Sequence, residues 1–288
     1  MRLLKKILVS AIIALLPLSA FSKGAVEKKD GPLRILAIGN SFTEDAVEWH
    51  LWGLFNAAGI DVVIGNEYRG GCTVERHWGY ITGKEEEAHA YRKVVNGKRT
   101  VKKGVPICEA LKDEEWDVVC FQQGQAKYGV LESHYPYLDS LITYVRSYLA
   151  PGTYKLCYQL NWSFPEGSPR FEKVPLYEND QMKMYRCCVE AAKGVKKRSK
   201  LDFLIPTGTA VQNARTTRFG DTMNRDWGHL DKLKGRYTAS CVWFETITGI
   251  NCIGNSYIPE GMSPEDALLC QKAAHAAVRK PYKVTKIR

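Results

Sequence analysis

Two short stretches, separated by most of the chain, carry residue types that could serve one reaction. Gly39-Asn40-Ser41-Phe42-Thr43 offers a hydroxyl, and Asp226-Trp227-Gly228-His229 offers a carboxylate and an imidazole three residues apart. A serine hydroxyl is a weak nucleophile until a base takes its proton, and the base serves best when a third group fixes its tautomer. Ser41 is therefore the candidate nucleophile, His229 the candidate base and Asp226 the group that orients it. The chemistry this implies is covalent attack on a carbonyl carbon.

The elements around these stretches decide whether they can meet. Residues 34–38 form a short apolar run that ends at Gly39, and a helix-like stretch follows over 44–58. A strand turning sharply into a helix leaves Ser41 above the sheet edge, beside first-turn N–H groups that can hold a developing oxyanion. The alternative is that Ser41 or Thr43 merely caps that helix, with Glu44 and Asp45 as favourable first-turn acids. After His229, Leu230, Leu233, Tyr237, Cys241 and Phe244 recur at helical spacing, which places the histidine at a helix entrance.

Further strands are expected at 61–65, 116–121, 154–159 and 202–205, with helices at 106–113, 137–149 and 178–197; Leu138, Leu141, Ile142, Val145 and Leu149 line one face of the second of these three helices. Alternating strands and helices predict a parallel sheet covered on both faces, with ligands at the carboxyl ends of the strands. Ser41, Gly70, Gln123 and Asn161 all follow expected strand ends. The interval 72–105 is long for a connection, and its Asn96-Gly97 pair is a preferred two-residue hairpin turn. It reads as an inserted hairpin flanking the site, which either shapes substrate access or is a passive surface flap.

Taken in order, Ile38-Gly39-Asn40-Ser41, the pair Gly70-Gly71, Gln122-Gln123-Gly124 and Asp226-x-x-His229 resemble the sequence blocks of the SGNH/GDSL hydrolase superfamily, from Arg34 to Gly249. Within it the likeness is to secreted bacterial proteins that carry Gly-Asn-Ser-Phe, Gly-Gly-Cys and Gln-Gln. The resemblance implies a three-layer α/β/α sandwich on a parallel, flavodoxin-like, five-stranded sheet. It also implies a serine esterase with Ser41, His229 and Asp226 as the triad, and an oxyanion hole made by the Ser41 and Gly71 N–H groups and a side-chain amide. Two blocks depart from the family pattern. Asn40 stands where aspartate is usual, and Gln122 and Gln123 stand where the family supplies asparagine. A glutamine amide can still donate, as the resemblance to related carbohydrate acetylesterases implies, and Gln123 is expected rather than Gln122 because it stands next to Gly124 after the apolar run that ends at Phe121. Small carboxylic esters, O-acetyl groups on carbohydrate above all, are the expected substrates; a weakly catalytic carbohydrate-binding protein and a lipid or thioester hydrolase are the alternatives.

Residues 1–22 carry Arg2, Lys5 and Lys6, then an apolar run, then Ala20-Phe21-Ser22, the pattern of a cleaved secretory signal peptide. The expectation is therefore a secreted or periplasmic protein without stable membrane insertion, its mature part, 23–288, one domain. Removing the leader takes the formal charge from +10 to +7. The excess lies largely in 98–103 and 193–200, read as solvated faces, and no nucleic-acid-binding motif accompanies it.

No cofactor is required, and no Cys or His spacing suggests a metal site. Cys120 and Cys157 are expected as buried thiols, while Cys241 and Cys252 are close enough in sequence to bridge a helix and its following loop. Of the other histidines, His77 is a candidate for the pocket wall, whereas His50, His89, His134 and His275 are expected on helix or loop surfaces. Trp78, Trp162 and Trp227 are the candidates for a sugar-stacking platform, each weighed against ordinary packing.

Overall fold

The computed structural model describes residue 26 and residues 30–288, so the expected signal peptide at 1–22 lies outside the described residues. The strands are β1 (Leu33–Gly39), β2 (Val62–Tyr68), β3 (Ala90–Val95), β4 (Lys98–Lys103), β5 (Val118–Phe121), β6 (Lys155–Gln159) and β7 (Phe203–Ile205). They lie side by side in the order β4-β3-β2-β1-β5-β6-β7. The five expected strands are present, mutually parallel and in a flavodoxin-like order.

The sheet nevertheless has seven strands rather than five. The hairpin expected beside the site instead pairs antiparallel with β2, from Tyr68↔Ala90 to Val63↔Val95, and so extends the sheet. Asn96 and Gly97 have φ of 49° and 73°, the left-handed pair that a tight hairpin turn requires. The pairing satisfies β2's outer edge. The new edge strand, β4, is exposed along its length and rich in Lys and Arg, which opposes further strand addition.

The helices are α1 (Ser41–Val47), α2 (Leu51–Ala57), α3 (Val74–Ile81), α4 (Ile107–Asp113), α5 (Tyr137–Arg146), α6 (Gln181–Arg198), α7 (Thr207–Arg215), α8 (Lys234–Thr248) and α9 (Pro264–Arg279). α1, α2, α7, α8 and α9 pack together on one face of the sheet; α3 packs on α5, α4 on β2 and α6 on β6 and β7. The sheet between them is apolar on both sides, with Ile35, Leu36, Ala37 and Ile38 of β1 all essentially inaccessible.

One helix expected over 44–58 is two, broken around Glu48. The Glu48 carboxylate is turned inward, where it accepts from Asn66 Nδ2 at 2.6 Å and Arg99 Nε at 2.5 Å and pairs with Arg92 at 3.3 Å. α1 is thereby fastened to the hairpin. All nine described cysteines are free thiols: Cys120 and Cys157 are buried as expected, and Cys241 and Cys252 form no bridge.

Candidate active site

The sequence places the turn after β1 by ending an apolar strand in glycine and capping the next helix with Asn40. Asn40 is extended, and its Oδ1 accepts from the Phe42 N–H at 3.0 Å. The cap is thus neither Ser41 nor Thr43, and the Ser41 hydroxyl is left for other work. Asn40 also donates through Nδ2 to the Cys72 carbonyl at 2.9 Å. An aspartate could accept from Phe42 but could not donate to Cys72. Asparagine therefore ties the nucleophile turn to the Gly70-Gly71-Cys72 turn.

Opposite Ser41 lies the loop that carries Asp226 and His229. Ser41 Oγ is 2.8 Å from His229 Nε2, and His229 Nδ1 is 2.7 Å from Asp226 Oδ2. The remaining oxygen, Asp226 Oδ1, accepts from the Gly228 and His229 N–H groups at 2.7 and 2.8 Å. Partial burial disfavours the charged carboxylate, but the hydrogen bonds from His229 and Gly228 outweigh it and hold the Asp226 pKa at about 2. Arg170 adds a guanidinium 3.9 Å from Oδ1.

His229 does not stand at a helix entrance as expected. α8 begins at Lys234, and the histidine sits in a tight irregular loop closed by the Asn224↔Leu230 bridge and by Arg225 N–H donating to the His229 carbonyl at 3.0 Å. Side chains from elsewhere fix this loop. Asp45, fully buried on α1, accepts from Leu230 N–H at 2.8 Å, Arg225 Nη1 at 2.9 Å and Arg236 Nε at 2.8 Å. Trp162 donates its indole N–H to the Gly228 carbonyl at 2.7 Å, and Asn224 Nδ2 donates to the same oxygen at 3.0 Å.

Asp45, expected as a first-turn acid, is instead fully buried four residues after Ser41. The available signal was two arginines, Arg225 and Arg236, bracketing the Asp226-x-x-His229 stretch. A buried carboxylate requires such partners.

The oxyanion side differs from expectation. Among the described residues, no acceptor is hydrogen-bonded to the Ser41 or Gly71 N–H. Gly71 has φ of 64° and open space around it, a conformation that glycine adopts without strain, and Cys72 N–H closes the turn onto the Arg69 carbonyl at 3.1 Å. Gln123, expected as the third donor, is committed elsewhere. Its Nε2 donates to the Ser133 carbonyl at 3.0 Å, and its Oε1 accepts from Val74 and Gly124 N–H groups at 3.0 and 2.8 Å. Gln122 is equally engaged: its Oε1 accepts from Asn40 N–H at 3.3 Å and its Nε2 faces the Gln123 carbonyl. Both glutamines are buried scaffolding for the turns.

Of the three tryptophans, only Trp227 keeps a large accessible face, 49% exposed between Asp226 and His229. Trp162 is buried, packed edge-on against Phe42 with centroids 4.5 Å apart, and serves as a strut rather than a stacking platform. Trp78 lies on α3 with its ring edge-on to Tyr144 of α5, which makes it helix packing. Asn161 is also buried, with its Oδ1 accepting from Gln159 Nε2 at 2.7 Å. The histidine expectations need correction too: His77, His89 and His134 are buried, the last two against expectation. Among the described residues, no group of His, Cys, Asp and Glu is arranged to hold a metal ion, and no helix is long and apolar enough to cross a membrane.

The model of a family described as a domain of unknown function, DUF4886, matches residues 34–277, a span that contains every residue of this site. The crystal structure of a DUF4886 family protein from Bacteroides uniformis is 41% identical, with a TM-score of 0.85 over 89% of this chain and 98% of that one. More distant structures share the fold. A candidate SGNH hydrolase from Slackia heliotrinireducens is 18% identical, with a TM-score of 0.50 over 75% of this chain and 99% of that one. A candidate GDSL-like lipase from Parabacteroides merdae is 15% identical, with a TM-score of 0.51 over 78% and 99%. Among curated proteins, none matches the chain.

Proposed function

The chain belongs to the DUF4886 family, and from the geometry within that family's span we propose that it is a serine ester hydrolase acting on small carboxylic esters, with O-acetyl groups on carbohydrate as its substrate class. The observation that carries this reading is the unbroken line from Ser41 Oγ through His229 to Asp226, with contacts of 2.8 and 2.7 Å. Ser41 attacks the ester carbonyl as His229 Nε2 takes its proton. Asp226 holds Nδ1–H and stabilises the imidazolium that forms. The tetrahedral oxyanion is met by the Ser41 and Gly71 N–H groups. His229 then gives the proton to the departing alcohol, and water repeats the sequence to free the acid.

The sugar preference rests on Trp227, whose exposed ring lies within the triad loop itself and suits the apolar face of a pyranose. The expected leader at 1–22 would carry the enzyme out of the cytoplasm, which is compatible with a polymeric substrate. Acetate release from acetylated oligosaccharides, compared with hydrolysis of long-chain acyl esters, tests the proposal. Acetyl preference is expected, with Trp227→Ala raising KM on the glycan while kcat is retained. A long-chain preference, or glycan binding with no acetate released, would contradict it.

A further inference from the structure

Beneath the oxyanion side two buried histidines and a partly exposed carboxylate form a chain of ionisable groups that the reaction above does not use. Glu87, in the segment leading into β3, accepts at Oε1 from both the His89 N–H and His89 Nδ1, each at 2.7 Å. His89 Nε2 is 2.8 Å from Nδ1 of His77 on α3, and the two rings are nearly coplanar at 7°. Both imidazoles are buried, and His77 Nε2 has no hydrogen-bond partner. The Gly39 carbonyl, two residues before Ser41, accepts from the Arg69 N–H at 3.1 Å and is the neighbouring group that counters, in part, the lowering of the His77 pKa by burial.

Proton counting gives this chain two states. With both rings neutral and Glu87 ionised, His89 Nδ1 donates to Glu87, His77 Nδ1 donates to His89 Nε2, and His77 Nε2 is a bare lone pair beside a carbonyl. One added proton reverses the central bond. His89 then donates from both nitrogens, His77 accepts at Nδ1, and His77 Nε2 carries a hydrogen to offer to the Gly39 oxygen. The charge gained rests on His89, against Glu87.

We propose that Glu87, His89 and His77 form a positioning relay that carries its protonation state from the inserted hairpin to the Gly39 carbonyl and so tightens or loosens the turn holding Ser41. The hairpin then has a role besides edge protection, because a second buried link, Glu48 with Arg92 and Arg99, fastens it to α1 as well. None of the three relay residues is a catalytic residue.

The surrounding groups set where the relay titrates. Burial lowers the pKa of both histidines; Arg76 and the neighbouring ring add to this for His77, and Arg69 for His89, while Glu87 raises His89. Glu67 of β2 is fully buried with Oε1 3.7 Å from His89 Nδ1, and burial first and Glu87 next push its pKa well above the ordinary value. Tyr80 stands edge-on to His89 at 4.6 Å, Glu85 is held by Arg76 at 3.0 Å, and the Cys72 thiol is pushed up to about 12 by burial. The relay's neutral state thus dominates at neutral pH, and its proton is taken up on acidification.

This inference rests on Ser41 being the nucleophile, and one experiment separates the two. The rate of covalent inactivation by a small serine-directed phosphonate is followed against pH for the wild type, His77→Gln and Glu87→Gln, with circular dichroism as the check on folding. In the wild type the profile is expected to carry an ionisation that belongs to the relay. Glu87→Gln should move it to lower pH, because the carboxylate that favours protonated His89 is gone. His77→Gln should abolish it and slow inactivation about tenfold, a fraction of the ~10² that a 1 Å misplacement costs. Should His77→Gln not fold, the Glu87→Gln shift, at a partly exposed residue, still decides. Wild-type profiles in the folded variants would overturn the relay and leave the nucleophile standing, whereas an unlabelled wild type would overturn both.

Discussion

On one flank of Ser41, side chains face the reaction; on the other, backbone N–H groups face it and side chains only aim the turns that carry them. Asp226 and His229 present a carboxylate and an imidazole, steadied by the Gly228 and His229 N–H groups and, through Leu230, by Asp45. Across the site, the Ser41 and Gly71 N–H groups are the free donors, while Asn40, Gln122 and Gln123 spend their amides on the turns that aim them. The difference teaches where substitutions will tell. Changes on the first flank should cost turnover, and changes at the glutamines should cost stability.

The largest effect expected from the flanking residues is at Asp226. Asp226→Asn keeps the loop's size but removes the acceptor that fixes His229, and kcat should fall by up to about 10⁴ with the fold intact. Because the carboxyl is held at about 2, below its ordinary 3.8, the stability it adds is fully present above 3.8 and is lost only as pH falls towards about 2. Carboxylate NMR resonances should accordingly show no titration of Asp226 above about pH 4. A loss under tenfold in Asp226→Asn would erase the first half of the comparison.

Next is Asp45, which sharpens it. Asp45→Ala strands the buried Arg236 and leaves the buried Leu230 N–H without its acceptor, so denaturant unfolding should show a loss of ~3–5 kcal/mol, as for other broken buried pairs. The slackened His229 loop should lower kcat by about 10² with little change in KM. The smallest kinetic effect belongs to Gln123. Gln123→Ala should cost ~1–3 kcal/mol, because the Val74 and Gly124 N–H groups and the Ser133 carbonyl lose a buried partner, yet alter kcat only a few-fold. A fall of about 10² to 10³ in kcat with unchanged stability would restore glutamine as an oxyanion donor and break the comparison.

Much of the arrangement was legible in the sequence because it is local. The apolar run ending at Gly39, the strand-helix alternation and the Asn96-Gly97 turn are short-range signals, and the five parallel strands and the hairpin's turn follow from them. Asp226 and His229 were legible for the same reason, being three residues apart. What the sequence concealed is long-range. Nothing local says that the hairpin pairs with β2 rather than standing over the site, since an edge strand's partner is set by what else needs covering.

Asp45 looked like a first-turn acid because its partners lie 180 and 191 residues away. His89 looked like a surface histidine because burial of an imidazole depends on His77 and Glu87 closing around it. Gln123 misled for a related reason: its position after β5 is that of an oxyanion donor, but position does not reveal which way an amide points. α9 was missed despite Ser263 and Pro264, a capping residue followed by proline at the first helical position, a local signal that was there to be read.

The central claim is that Ser41 is a nucleophile activated by His229, and its most direct test is covalent capture. Incubation with a small phosphonate ester, followed by proteolysis and mass spectrometry, should show one phosphonyl group on the peptide containing Ser41 in the wild type. Ser41→Ala should take up none and lose about four orders of magnitude of esterase rate. Label on another residue, no label at all, or wild-type hydrolysis by Ser41→Ala would contradict the account.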